Sequence, residues 1–141
     1  MLKILVPSDG SPNALRAVDY LATLAKSNAA LRCELLYVRQ PFGVREHGYR
    51  THEQLAAMDS GAAQQALQPA QAMLDAAGIP YAAVALEGDT GQTIVHHAME
   101  AGCDGIVMGM RGMGFVLGPL SMGSVTAKVL HMASMPVTLV K

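Results

Sequence analysis

The chain has 141 residues, 51% of them apolar and 15% charged. That is enough for one domain burying roughly 68–70% of its unfolded surface without a disulfide or a metal. Ten Lys and Arg against eleven Asp and Glu leave a net charge of −1, which argues against a general nucleic-acid or polyanion binder.

The N-terminal run 2–6 is unbroken and apolar-rich, the pattern of a parallel strand buried on both faces. Pro7-Ser8-Asp9-Gly10-Ser11 reads as a turn. Ser11 then caps a helix with Pro12 at its first position. Leu15, Val18, Leu21, Ala22 and Ala25 form the apolar stripe of that helix, with Arg16, Asp19 and Lys26 off it. A second strand is predicted over 31–38, and residues 40–51, with Pro41, Gly43 and Gly48, read as a loop. A long Ala- and Gln-rich helix is predicted over about 53–77, ended by Gly78 and Pro80, with Pro69 expected to kink or split it.

An Ala-rich strand at 81–86 reads as a sheet edge. Asp89 or Thr90 caps a helix with Ile94, Ala98 and Ala101 on its face, closed by Gly102. A fourth strand follows at 105–108. After a glycine-rich loop comes a helix with Val125, Val129 and Met132 on one side, then a last short strand, Val137–Val140.

No apolar run reaches about 18 residues, so no transmembrane helix is expected. The N-terminal run is too short for a signal peptide. The reading is a cytoplasmic protein with no membrane partner. With no Trp, four Tyr and two Phe, a base-stacking platform for nucleic acid is not expected. Cys33 and Cys103 make neither a disulfide framework nor a zinc site and read as packing thiols.

Strands separated by helices imply a doubly wound α/β fold with a parallel sheet covered on both faces. Such sheets bind ligands beyond the carboxyl ends of their strands, where the winding reverses. Two strand ends carry unusual chemistry: residues 7–11 and residues 109–124. The second holds Gly109, Gly112, Gly114, Gly118 and Gly123 and leads into a helix. Glycines permit close backbone approach, and a helix N-terminus favours an anion. Ser124 offers a hydroxyl and Arg111 a counter-charge. The residues describe a phosphate site. It is not a Walker loop, since no Gly-Lys-Ser/Thr follows, and its glycines do not fit the dinucleotide fingerprint.

Ile4-Leu5-Val6-Pro7-Ser8-Asp9-Gly10-Ser11, Gly88-Asp89, Ile106-Val107-Met108-Gly109-Met110-Arg111-Gly112, Gly123-Ser124-Val125, His131-Met132-Ala133 and Pro136 resemble the universal stress proteins. The resemblance spans essentially the whole chain, 1–141, as a single domain. It implies a five-stranded parallel sheet in order 3-2-1-4-5, of the Rossmann-like adenine nucleotide alpha hydrolase-like kind, and a homodimer acting in the stress response. It further implies binding of ATP or AMP, with any Mg²⁺ carried by the nucleotide. Pro7 and Ser8 would shape the adenine pocket, Asp9 would contact the adenosine part and Val38 the base. Met108 and Gly109 would flank ribose and phosphates, Arg111 and Gly112 would lie along the phosphates, and Gly123, Ser124 and Val125 would hold them. The family's nucleotide-binding members space Gly-x-x-Gly and Gly-Ser/Thr nine residues apart. Here ten lie between Gly112 and Gly123, so a dimeric interaction module without nucleotide is the alternative.

Plainer readings stand beside these. Asp9 also suits a turn that bonds its own backbone, Gly109, Gly112 and Gly123 suit tight packing, and Arg111 suits a solvated loop. Helical geometry turns His96 away from the Ile94/Ala98 face and leaves His97 at its margin, so a surface role is expected for the pair rather than a metal site, and His131 is expected at the surface or in a dimer contact. No Ser/His/Asp, Cys/His or paired-carboxylate constellation marks an enzyme; slow ATP hydrolysis is the most the residues suggest, and no catalytic or metal residue is assigned. Val137, Thr138, Leu139 and Val140 form an unblunted edge strand, which predicts antiparallel pairing with a second copy. Thr138→Pro would break that pairing if its N–H points across the axis.

Overall fold

In the computed structural model the described residues are 1–27, 30–40, 52–110 and 123–141, with the backbone alone described for 52–60. The chain runs β1 (Leu2–Pro7), α1 (Pro12–Ser27), β2 (Leu31–Arg39), α2 (His52–Ala77), β3 (Tyr81–Glu87), α3 (Thr90–Glu100), β4 (Gly105–Gly109), α4 (Ser124–Met132) and β5 (Val137–Val140). The five strands make one parallel sheet in order β3-β2-β1-β4-β5. Each expected element is present, and four of the five strands run one residue past their expected ends. The loop expected at 40–51 lies, after Gln40, outside the described residues.

The unbroken apolar runs follow from having a core on each face of the sheet. Successive side chains of a strand point to opposite faces. Val6, Leu35 and Val107 enter one core with Ala17, Val18 and Leu21 of α1 and Leu67, Ala70 and Leu74 of α2. Their neighbours Leu5, Leu36 and Ile106 enter the other core with Ile94, Val95 and Ala98 of α3 and Val129 of α4. Full burial of each such side chain contributes about 1.5–3 kcal/mol, so a polar residue on either face of β1 or β4 would be costly.

Pro69 does not split α2, which is continuous over its 26 residues. Ala63, Leu67, Ala70 and Leu74 recur at four-, three- and four-residue spacing and are all buried. Packing of that stripe holds both halves in one helix. Pro69 itself lies on the exposed side, where the carbonyl it leaves without a partner can turn to water.

Local signals set the helix starts at the sheet's carboxyl end. Ser11 Oγ accepts the Ala14 backbone N–H at 3.2 Å, the expected N-cap of α1. Asp89 caps α3 by accepting the Gln92 N–H at 3.0 Å. Lys128 Nζ of α4 reaches Asp89 Oδ2 at 2.8 Å, and these two donors hold the Asp89 carboxyl below its ordinary value. The Lys128 stem crosses Gly91, where a Cβ would stand 3.0 Å from Lys128 Cβ. Glycine thus lets the starts of α3 and α4 approach each other.

His96 and His97 lie as expected, away from the apolar face of α3 and at its margin, but the partner of His97 was not expected. His96 is exposed, but His97 is partly buried with its Nε2 3.0 Å from Glu34 Oε1. Glu34 shares the sheet face of Leu36 and is itself buried, so α3 must offer it a polar partner. An acid inside a buried strand was the available signal. His131 is exposed, as expected.

Candidate functional site

The winding of the sheet reverses between β1 and β4, and a cleft opens at the carboxyl ends of those strands. Its described lining comes from the end of β1 and the following turn (Pro7, Ser8, Asp9, Ser11), from β2 (Leu36, Tyr37, Val38) and from β4 (Met108, Gly109). Three helix starts complete it: Asn13 and Ala14 of α1, Thr90 and Ile94 of α3, and Val125 and Thr126 of α4. Each of these helices directs the positive end of its dipole toward the cleft. Asp9 is the one charged residue in the described lining.

The β1 turn is built by its own side chains. The Ser11 backbone N–H donates to Asp9 Oδ1 at 2.9 Å, and the Gly10 N–H to Ser8 Oγ at 3.3 Å. Gly10 has φ +82°, and a Cβ there would stand 3.0 Å from the Ala66 carbonyl oxygen. Only glycine fits that backbone without strain. Asp9 is therefore a turn former that bonds its own backbone segment. Its exposed carboxylate still has acceptor capacity, since an ionised carboxylate offers about four lone-pair sites. The two readings of Asp9 are compatible.

Gly109 ends β4 against α1. A Cβ on it would lie 2.7 Å from the Asn13 carbonyl oxygen and 2.8 Å from Asn13 Nδ2. Close packing, the plainer reading, is thus a sufficient reason for this glycine. Beyond it the chain is pinned to α4: Thr126 Oγ1 donates to the Met110 carbonyl at 3.1 Å, and the Gly123 N–H to the same carbonyl at 3.5 Å. Gly123 is the N-cap of α4 and its carbonyl takes the Ala127 N–H at 3.1 Å. The N–H groups of Ser124, Val125 and Thr126 consequently have no acceptor within the helix.

Pro7, Ser8, Asp9, Val38, Met108, Gly109 and Val125 are brought together in this one cleft. Gly123 and Ser124 are not in its described lining; they sit beside it, as cap and first residue of α4. Arg111 and Gly112 lie outside the described residues. Ser11, Ala14, Leu36 and Tyr37 of the lining were not among the expected site residues, and neither were the helix residues Asn13, Thr90, Ile94 and Thr126. Of the buried polar residues, Ser8, Asn13 and Thr126 all line the cleft. For Asn13 and Thr126 the signal was a polar side chain one or two residues past the first residue of a helix, on its buried side. At the mouth, Gln40 Nε2 donates to Thr90 Oγ1 at 3.3 Å, tying the end of β2 to α3.

The model of the universal stress protein family matches residues 1–141. The chain belongs to the universal stress protein family. A universal stress protein of Synechocystis sp. is 33% identical over 140 residues, covering 97% of this chain and 83% of that protein. The solved structure of the hypothetical protein MJ0577 superposes with a TM-score of 0.85 at 26% identity, over 99% of this chain and 95% of the other. A universal stress protein in complex with cAMP gives a TM-score of 0.72 at 25% identity, over 99% and 97% of the two chains. The strand order and two-faced helix layers described above are the Rossmann-like fold of this family. Among the described residues no helix is long and apolar enough to cross a membrane, and no group of His, Cys, Asp and Glu is arranged to hold a metal ion.

Proposed function

We propose that this universal stress protein binds an adenine nucleotide, ATP or AMP, in the β1/β4 cleft and acts as a dimeric, cytoplasmic regulator of the stress response. The observation that carries the reading is the convergence of three helix N-termini on a cleft whose walls hold Pro7, Ser8, Asp9, Val38, Met108, Gly109 and Val125. The chemistry is complementary along its length. Pro7, Val38 and Met108 offer apolar surface to a purine, Asp9 accepts a ribose hydroxyl, and the free N–H groups at the start of α4 suit phosphate. Gly123 and Ser124 join that phosphate end, and the glycine motif assigns Arg111 and Gly112 to it as well. The relative solved with cAMP supports a nucleotide of this class. Any Mg²⁺ arrives with the nucleotide, because Asp9 is the one carboxylate in the described lining. The protein acts by binding, with slow hydrolysis at most.

Titration calorimetry with AMP and ATP on the wild type and on Asp9→Ala tests the reading. Saturable binding that weakens about tenfold or more on loss of the ribose acceptor is expected. Absence of binding by the wild type favours a dimeric interaction module, the alternative raised by the ten residues between Gly112 and Gly123.

A further inference from the structure

We propose that the side-chain amide of Asn13 donates a hydrogen bond to a phosphate oxygen of the bound nucleotide, a contact that the glycine motif does not contain. The proposal rests on the nucleotide reading above and adds a residue to it. Asn13 lines the cleft although only 9% of it is exposed. Its Oδ1 accepts from Arg16 Nη2 at 2.9 Å, which fixes the orientation of the amide. The other end, Nδ2, is buried and has no hydrogen-bond partner among the described residues. Buried amide donors are rarely left unsatisfied, because the cost of desolvation is then uncompensated. Asn13 Nδ2 is a donor waiting for an acceptor.

Its position and chemistry select the acceptor. The amide lies against Gly109, whose ideal Cβ position is 2.8 Å from Nδ2, at the point where β4 gives way to the glycine loop. An NH₂ group only donates. A ribose hydroxyl already has an acceptor-only partner in Asp9, whereas phosphate oxygens only accept. Asn13 is also the second residue of α1, inside the turn where the helix dipole favours negative charge. The described lining holds no Lys or Arg, and within it Asn13 offers a buried donor with no hydrogen-bond partner among the described residues.

Binding of adenosine, AMP and ATP to wild type, Asn13→Ala and Asn13→Asp tests the assignment. Asn13→Asp keeps the shape and the Oδ1 acceptor for Arg16 while replacing the donor with a carboxylate oxygen. Folding of each variant is checked by its melting curve. The expected result is a loss of AMP and ATP affinity of about threefold to tenfold in Asn13→Ala and a larger loss in Asn13→Asp. Adenosine affinity stays within about twofold in both. A parallel loss for adenosine would place the donor on ribose or base and overturn the proposal. Unchanged AMP and ATP affinity in folded variants would reduce Asn13 to packing. A wild type that binds none of the three would overturn the nucleotide reading itself and this contact with it.

Discussion

Gly109 and Asn13 are fitted to each other more tightly than any side chain on residue 109 allows. A Cβ there would meet the Asn13 backbone carbonyl at 2.7 Å, and backbone at the first turn of α1 cannot swing aside as a side-chain tip can. Gly109→Ala is therefore expected to lower stability by about 1–3 kcal/mol through overpacking and to weaken ligand binding by displacing Asn13. Urea denaturation gives the first and nucleotide titration the second; an unchanged midpoint would mean that α1 yields freely. The two cysteines have a different character. Burial pushes the Cys33 thiol up to about 12, with the neighbouring Glu34 adding to the shift. The thiol thus stays protonated in the folded chain well above the ordinary thiol value of about 8.5. A raised native pKa means that this group's contribution to stability is complete below about pH 8.5 and declines as pH rises from there toward 12. Iodoacetamide at pH 8 is expected to leave Cys33 unlabelled in the folded protein and to label it readily in urea. Fast labelling of the native state would contradict its burial.

Helix α2 carries the clearest conflict between local preference and tertiary packing. Pro69 removes one backbone donor in an interior turn, yet the buried stripe from Ala63 to Leu74 keeps the helix whole. Because Pro69 is exposed, Pro69→Ala is expected to raise stability by about 1–3 kcal/mol, read as a higher urea midpoint; a fall would show that Pro69 shapes the packing of α2. The elements themselves were legible because period and punctuation agreed: apolar runs for the two-faced strands, and Ser11, Asp89, Gly78 and Gly102 at helix ends. The cleft was legible through Pro7, Asp9, Met108 and Gly109, which sit on or just after strand ends. Asn13, Thr90, Ile94 and Thr126 were not, because each lies within a helix and reaches the cleft only through the packing of α1, α3 and α4 on the sheet. The His97–Glu34 pair was hidden for the same reason: 63 residues separate its members, and only the register of β2 against α3 joins them.

The sheet ends at β5, whose outer edge has no neighbouring strand among the described residues. The backbone pattern there refines the expected pairing. The Ile106 N–H donates to the Pro136 carbonyl at 2.9 Å and the Met110 N–H to the Val140 carbonyl at 2.9 Å. Parallel pairing alternates residue by residue, so Thr138 also turns its backbone groups toward β4, and Val137 and Leu139 turn theirs to the open edge. Thr138→Pro would thus damage the sheet itself, and Leu139→Pro is the substitution that tests the dimer. Proline at 139 removes an outward N–H while leaving the β4 ladder intact. Sedimentation at tens of micromolar is expected to show a dimer for the wild type and a shift to monomer for Leu139→Pro. A monomeric wild type would contradict β5 pairing. The same sheet carries the β1/β4 cleft at its centre, so the proposed ligand site and the proposed dimer edge are about two strands apart. The most direct measurement of the central claim is thermal unfolding with and without AMP or ATP, with GMP as control. A ligand at one hundred times its Kd adds about 2.7 kcal/mol to stability. For a chain of this length that corresponds to a rise in Tm of roughly 2–8 °C, expected with the adenine nucleotides and smaller with GMP. No shift at millimolar AMP or ATP would contradict the nucleotide site.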